Sequence, residues 1–306
     1  MWNRATFVSR WARVALAALV LGGCAAKSEP FGQQVQRINE VSIQGEQLFS
    51  RGEMVRASRN FSRALTMSRS VDYPAGAAQQ LNNLGAVALE EGDYRQAQEL
   101  FTQAYELNLG QEQWVAASIN QANLATVAQK QGDAGAAARH LTAALDAARQ
   151  SRSGPALGRV FLQWASFSLD RQDPGAAQAY LDWAQGLATT PELKGTLWHH
   201  QGRLALAQGN TGQALDRFFL ALKTDRSILD RPSMASDLLA LGEVFQTRGE
   251  LASAWEYYVR AFDVYAGLGR KAQLTACLKR LRDINREGQL GHSLERFEKL
   301  AAPGPS

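Results

Sequence analysis

Residues 81–104 read LNNLGAVALEEGDYRQAQELFTQA, and the spacing of small and bulky residues within them decides the fold. Gly92 marks a turn; Gly85 lies seven residues before it, Ala97 five after, Phe101 nine after and Ala104 twelve after. The frame also stands at Gly52, Gly132, Gln172, Gly209, Gly249 and Gly288, so that the seven anchors follow one another at intervals of 40, 40, 40, 37, 40 and 39. Five after the anchor comes Ala except at Ser293, and twelve after comes Ala except at Leu300. Nine after comes Phe, Leu or Tyr, and seven before comes Gly or Ala except at Leu281. A fixed period of this length marks a solenoid.

The frame has a mechanical meaning. Small residues on both sides of the turn let two antiparallel helices cross closely, while the bulky residue fills the space between them. Apolar residues three and four apart share one helix face. Gly92-Asp93, Gly132-Asp133 and Gly209-Asn210 fit a glycine that ends one helix and a side chain that caps the next. Gly249-Glu250 keeps the glycine without the cap. Pro74, Pro155, Pro191 and Pro232 sit near the start of first helices, where a missing N–H costs nothing. One hairpin cannot bury its apolar face alone, so hairpins must stack. No segment shows a strand pattern, and the reading is all-α.

Leu84-Gly85, Gly92-Asp93-Tyr94, Ala97, Phe101 and Ala104 resemble the tetratricopeptide repeat signature, and Leu241-Gly242, Gly249, Ala254, Tyr258 and Ala261 nearly repeat it. The resemblance covers roughly residues 33–300. It implies a right-handed superhelix of about seven helix–turn–helix repeats, with first helices lining a concave groove. The family period is about 34 residues, so the longer one here implies helices extended by about a turn per repeat. In this it is similar to kinesin light chains and the Leu-Gly-Asn-repeat adaptors, which bind extended or helical peptide segments in the groove. The fourth copy, with Gln172-Asp173-Pro174 at its turn, reads as a loop variant. The seventh reads as a terminal cap, and residues 301–306 read as a disordered tail.

Residues 1–23 read as a secretory signal: Arg4, Arg10 and Arg13 precede the apolar run Val14 to Leu21, which is too short to span a bilayer. Leu21-Gly22-Gly23-Cys24 resembles the lipobox of bacterial lipoproteins. That resemblance implies cleavage before Cys24 and lipid attachment to it, with residues 24–32 as lipidated N-terminus and short linker. Fully extended, such a linker reaches on the order of 20–30 Å. Ala25 lacks the aspartate that holds such lipoproteins in the inner membrane, so the implied location is the periplasmic face of the outer membrane.

Charge supports a protein partner over nucleic acid. The chain carries 33 basic and 29 acidic residues; without the three signal arginines the balance is 30 to 29. A nucleic-acid binder would keep a basic face in the mature domain. With Cys24 lipidated, Cys277 has no disulfide partner and reads as a buried thiol.

Site candidates come from the register nine before the anchor, which faces the groove: Asn83, Asn123, Gln163 and His200 are its four central polar members, and Lys279 stands at its end. By resemblance to long-period relatives, Asn83 and Asn123 would hydrogen-bond a bound peptide backbone. Arg159, Arg203 and Arg282 fall on groove positions where an acidic partner would meet them. The carboxylate clamp of chaperone-docking relatives is matched here only by its asparagine. His199 and His200, adjacent on a helix, diverge too far to chelate one ion, and no metal or cofactor is expected. Trp114, Trp164, Trp183, Trp198 and Trp255 read as core. No phosphate-binding, dinucleotide, zinc-protease or nucleophile-elbow motif is present. The sequence therefore reads as a lipid-anchored interaction scaffold for periplasmic or outer-membrane proteins and not as an enzyme. The alternatives are a pilotin-like assembly factor for a type IV pilus or secretion channel and, further off, a cell-wall-active enzyme.

Overall fold

The computed structural model describes residues 30–302; the expected signal segment, Cys24 and residues 303–306 lie outside them. Among the described residues α1 (Phe31–Ser50) turns into α2 (Met54–Ser70), α3 (Pro74–Glu91) into α4 (Tyr94–Gly110), and α5 (Trp114–Lys130) into α6 (Ala134–Gln150). The stack continues with α7 (Gly154–Asp170) and α8 (Pro174–Gln185), then α9 (Pro191–Ala207) and α10 (Thr211–Ser227). It ends with α11 (Arg231–Thr247) and α12 (Leu251–Gly267), then α13 (Lys271–Glu287) and α14 (Glu295–Ala301). The fold is an all-α solenoid of the tetratricopeptide-repeat type, built from consecutive antiparallel pairs.

Turn chemistry sets the pitch. A residue in the left-handed region stands at Gly52, Asp72, Gly92, Glu112, Gly132, Arg152 and Gln172, one every 20 residues. The series resumes at Gly209, Leu229, Gly249, Gly269 and Gln289. The true unit is thus a 17-residue helix, the length of α2, α4 to α7 and α9 to α13, plus a three-residue connection. Asp93, Asp133 and Asn210 accept the backbone N–H of Gln96, Ala136 and Gln213, as their spacing implies. Glu250 makes no such cap.

Two details differ from expectation. The Gln172-Asp173-Pro174 turn is regular: Gln172 takes φ 58° and Asp173 caps Ala176. The missing residues lie at the other end of α8, which is only 12 residues long and gives way to the connection 186–190. In the last hairpin Gly288 stays right-handed at φ −87°, and Gln289 makes the turn at φ 50°.

The frame is a set of sockets. Ala57, Ala97, Ala137, Ala177, Ala214 and Ala254 are fully buried, as are Ala64, Ala104, Ala144, Ala184, Ala221 and Ala261. Each glycine seven before the turn makes room for the ring sixteen residues later. A β-carbon there would lie 2.5 Å from Phe61 at Gly45, 2.7 Å from Phe101 at Gly85, 2.8 Å from Phe218 at Gly202 and 2.5 Å from Tyr258 at Gly242. Where the small residue is alanine, at Ala125 and Ala165, the partner shrinks to Leu141 and Leu181. Volume is conserved within the first six sockets, and only the terminal one pairs two large residues, Leu281 and Phe297.

Small rotations between hairpins accumulate until the solenoid meets itself. The α1–α2 turn packs on the α12–α13 connection so tightly that a β-carbon on Gly52 would overlap the Leu268 carbonyl oxygen. Beside this seam Arg270, only 9% exposed, is ion-paired with Glu90 and lies 5.1 Å over the Phe49 ring. Six hairpins therefore make one superhelical turn, closed by a backbone contact and by a buried arginine paired with an exposed glutamate.

Candidate functional site

First helices of neighbouring hairpins touch one another directly (α1 with α3, α5 with α7, α7 with α9, α9 with α11), whereas second helices make at most marginal contact. First helices are therefore the inner layer, and side chains on their free face line the groove.

A cavity of about 200 Å³ spans α5, α7 and α9 and is lined by Asn123, Arg159, Gln163 and His200, with Thr196, Leu162 and Leu193 among its walls. Four of the expected groove residues thus meet in one place. Asn83 occupies the same register on α3. Three of these residues hold buried polar atoms with no partner in the protein: Asn83 Nδ2, Gln163 Oε1 and His200 Nδ1. Burial, then the His199 and Arg203 charges, drives the His200 imidazole well below its ordinary range and keeps it neutral.

Other candidates are already engaged. Asn123 Nδ2 donates to Asn82 Oδ1 at 2.9 Å. Arg203 bridges α9 to α7, donating to Asp170 at 2.6 Å and to Ser166 at 3.1 Å. Arg282 donates to Glu298 at 2.7 Å. Arg159 is exposed, with the Glu192 carboxylate in its field. His199 and His200 do diverge: His199 Nδ1 meets Asp237 Oδ1 at 2.7 Å, while His200 faces the groove cavity.

Sequence reasoning missed a second polar register. Three positions converge at each junction between hairpins: ten before one anchor, sixteen after it, and twelve before the next. At the first junction they are Ser42, Ser68 and Gln80, with Ser42 donating to Gln80 at 3.1 Å. At the second they are Asn82, Asn108 and Asn120, where Asn108 donates to Asn120 at 2.7 Å and Asn120 to Asn82 at 3.0 Å. The third and fourth are apolar, Ala122, Ala148 and Val160, then Leu162, Ala188 and Leu197. At the fifth they are His199, Asp225 and Asp237. Gly195 admits this set, since a β-carbon there would overlap Asp225 Oδ1.

Burial governs the charges at the fifth junction. It raises Asp225 to about 7, helped by the Asp237 and Asp230 charges, and raises Asp237 to about 8. It lowers His199 to about 4, with Arg203 adding to the effect. Linkage then fixes the signs. A carboxyl raised on folding stabilises fully below its unfolded value and loses that contribution as pH rises through 7 to 8. A histidine lowered on folding acts oppositely, and only below about 6.5. Stability should therefore fall by about 1–2 kcal/mol between pH 6.5 and 8.5. Asp225→Asn with Asp237→Asn should flatten that slope in urea titrations; an unchanged slope would refute the assignment.

Trp183 corrects another expectation, being 57% exposed. It packs at 5.4 Å on both Phe161 and Tyr180, over a cavity of about 850 Å³ on the α6 and α8 side. Its register, eleven after the anchor, holds Arg63, Gln103, Ala143, Leu220, Arg260 and Lys299 elsewhere, mostly polar, and Leu220 is also exposed there, which marks the register as outward-facing.

No family model and no curated protein matches the chain. Solved structures share its fold. RapI in its apo form aligns with a TM-score of 0.62 at 15% identity, over 87% of this chain and 93% of that one. A Rap protein complexed with competence and sporulation factor aligns at 0.56 and 15%, over 84% and 75%. BtubC from P. vanneervenii aligns at 0.51 and 16%, over 83% and 95%.

Proposed function

We propose that this protein is a binding scaffold whose inner groove holds an extended segment of a partner protein and which catalyses no reaction itself. The observation that carries the reading is the set of unpaired polar atoms at one register: Asn83 Nδ2, Gln163 Oε1 and His200 Nδ1, on the first helices α3, α7 and α9. A buried polar group without a partner costs roughly 1–3 kcal/mol, and the backbone amides and carbonyls of an extended segment would satisfy all three. The Rap protein bound to competence and sporulation factor supports the reading, because there a solenoid of the same fold holds a separate molecule.

The Leu21-Gly22-Gly23-Cys24 motif supports a lipid anchor, and Ala25 supports the outer membrane as its place. Anchoring confines the partner to a thin layer and raises its effective concentration. Replacing Asn83, Gln163 and His200 together with alanine should lower partner recovery from detergent-solubilised membranes at least about tenfold, with helicity unchanged by circular dichroism. Undiminished recovery would remove the groove from the mechanism. Separately, Cys24→Ala should move the protein from the membrane to the soluble fraction; sedimentation as before would refute the anchor.

A further inference from the structure

We propose that the pocket between α9, α10 and α11 binds the cationic head of a basic side chain, a guanidinium or ammonium group, from a segment lying in the groove. The inference rests on the groove reading for the origin of that side chain, and on independent geometry for the site itself.

The junction registers isolate the anomaly. Asparagines fill the second junction and satisfy one another, and apolar residues fill the next two. Only the fifth buries two carboxyls, Asp225 at 3% exposure and Asp237 at 0%. The two carboxyls lie in each other's field, and neither residue type carries an N–H to place between them. His199 takes up Asp237 Oδ1, whereas buried Oδ2 finds no donor in the protein. Facing carboxylates require either a proton or a cation between them.

Shape and access favour a cation. The pocket encloses about 140 Å³ and is lined by Thr196, His199, Asp225, Ser233, Ser236 and Asp237. A water molecule's share of liquid volume is about 30 Å³, so a planar guanidinium or an ammonium has room. The three hydroxyls add acceptors around the two carboxylates, and the N–H groups of such a head would reach several of them together. His199 already spends Nδ1 on Asp237 Oδ1, so the free acceptors here are carboxylate and hydroxyl oxygens, which suit the N–H donors of an organic cation. Thr196 lines both this pocket and the groove cavity that holds Gln163 and His200, so the two adjoin at that residue.

The test uses the purified full chain in detergent with N-acetyl-arginine amide, N-acetyl-lysine amide and the neutral isostere N-acetyl-citrulline amide, followed by calorimetry at pH 8.5 and pH 6. At least one charged probe should bind saturably at pH 8.5, roughly 10- to 100-fold more tightly than citrulline. The arginine and lysine arms distinguish which side chain is preferred. Binding should weaken at pH 6, where protons compete for the carboxyls. The charged and titratable groups around the pair do not reverse that sign. They are His199 and Arg203 from α9, Glu243 from α11, Asp230 from the α10–α11 connection and Tyr265 from α12. Asp225→Asn with Asp237→Asn should abolish the preference for charge and still fold, because the protein holds Asn108 and Asn120 in the same registers. Equal affinity for charged and neutral probes, or no saturable binding of any, would mean that the pair holds a proton only and would overturn the proposal. Such a failure leaves the groove reading standing, since a single amino-acid probe does not engage Asn83 or Gln163. Conversely, loss of partner capture in the groove variant would leave probe affinity in place.

Discussion

Phe101→Ala should cost about 3–5 kcal/mol and Gly85→Ala about 1–3 kcal/mol, whereas Gly85→Ala combined with Phe101→Leu should recover most of the loss. The ring edge of Phe101, fully buried, fills the place of a Gly85 β-carbon at 2.7 Å. Alanine is favoured over glycine in a helix interior by about 1 kcal/mol, so any destabilisation by Gly85→Ala reports the steric clash. Phe101→Leu alone leaves a void beside the glycine. Together the two changes rebuild the Ala125–Leu141 and Ala165–Leu181 sockets that the protein uses one and two repeats further on. A double-mutant cycle in urea should show a coupling of at least about 1 kcal/mol. Additive effects would mean that glycine and ring do not share the space.

Gly52→Val should open the superhelical seam, and Gly92→Val should not. Both glycines are left-handed, at φ 77° and 81°, so valine at either carries the same backbone cost of about 1–2 kcal/mol. Gly92 has nothing within 4 Å of its would-be β-carbon, whereas Gly52 lies against the Leu268 carbonyl and Gly269. The difference between the two variants is therefore the seam itself. Separating it would also expose Arg270 and unstack it from Phe49. Small-angle X-ray scattering should give Gly52→Val a larger radius of gyration than wild type, with Gly92→Val unchanged. Identical radii for all three would show that the seam does not hold the ring closed. An open seam would widen access to the groove, so partner capture by Gly52→Val tells whether the segment enters sideways or along the axis.

The two layers of the proposed site were legible to different degrees. The register nine before the anchor points to Asn83, Gln163 and His200 directly, because groove residues repeat once per hairpin. Nothing in that register shows that Asn123 is tied to Asn82 or that Arg203 is tied to Asp170, since those partners lie on neighbouring helices. The His199, Asp225 and Asp237 set was missed because its members come from three registers on three helices. Only the second junction, with asparagines in the same places, makes them readable as a set.

Local repetition determined the rest. Small and bulky residues at fixed distances from a turn specify the hairpin, its sockets and its caps, because each of those contacts lies within about forty residues of chain and recurs with it. The meeting of Gly52 with Leu268, the true end of α8, the turn at Gln289 and the outward face of Trp183 were decided by the folded object. Closure depends on a small rotation per hairpin summed over six of them, and no single spacing in the chain records that sum.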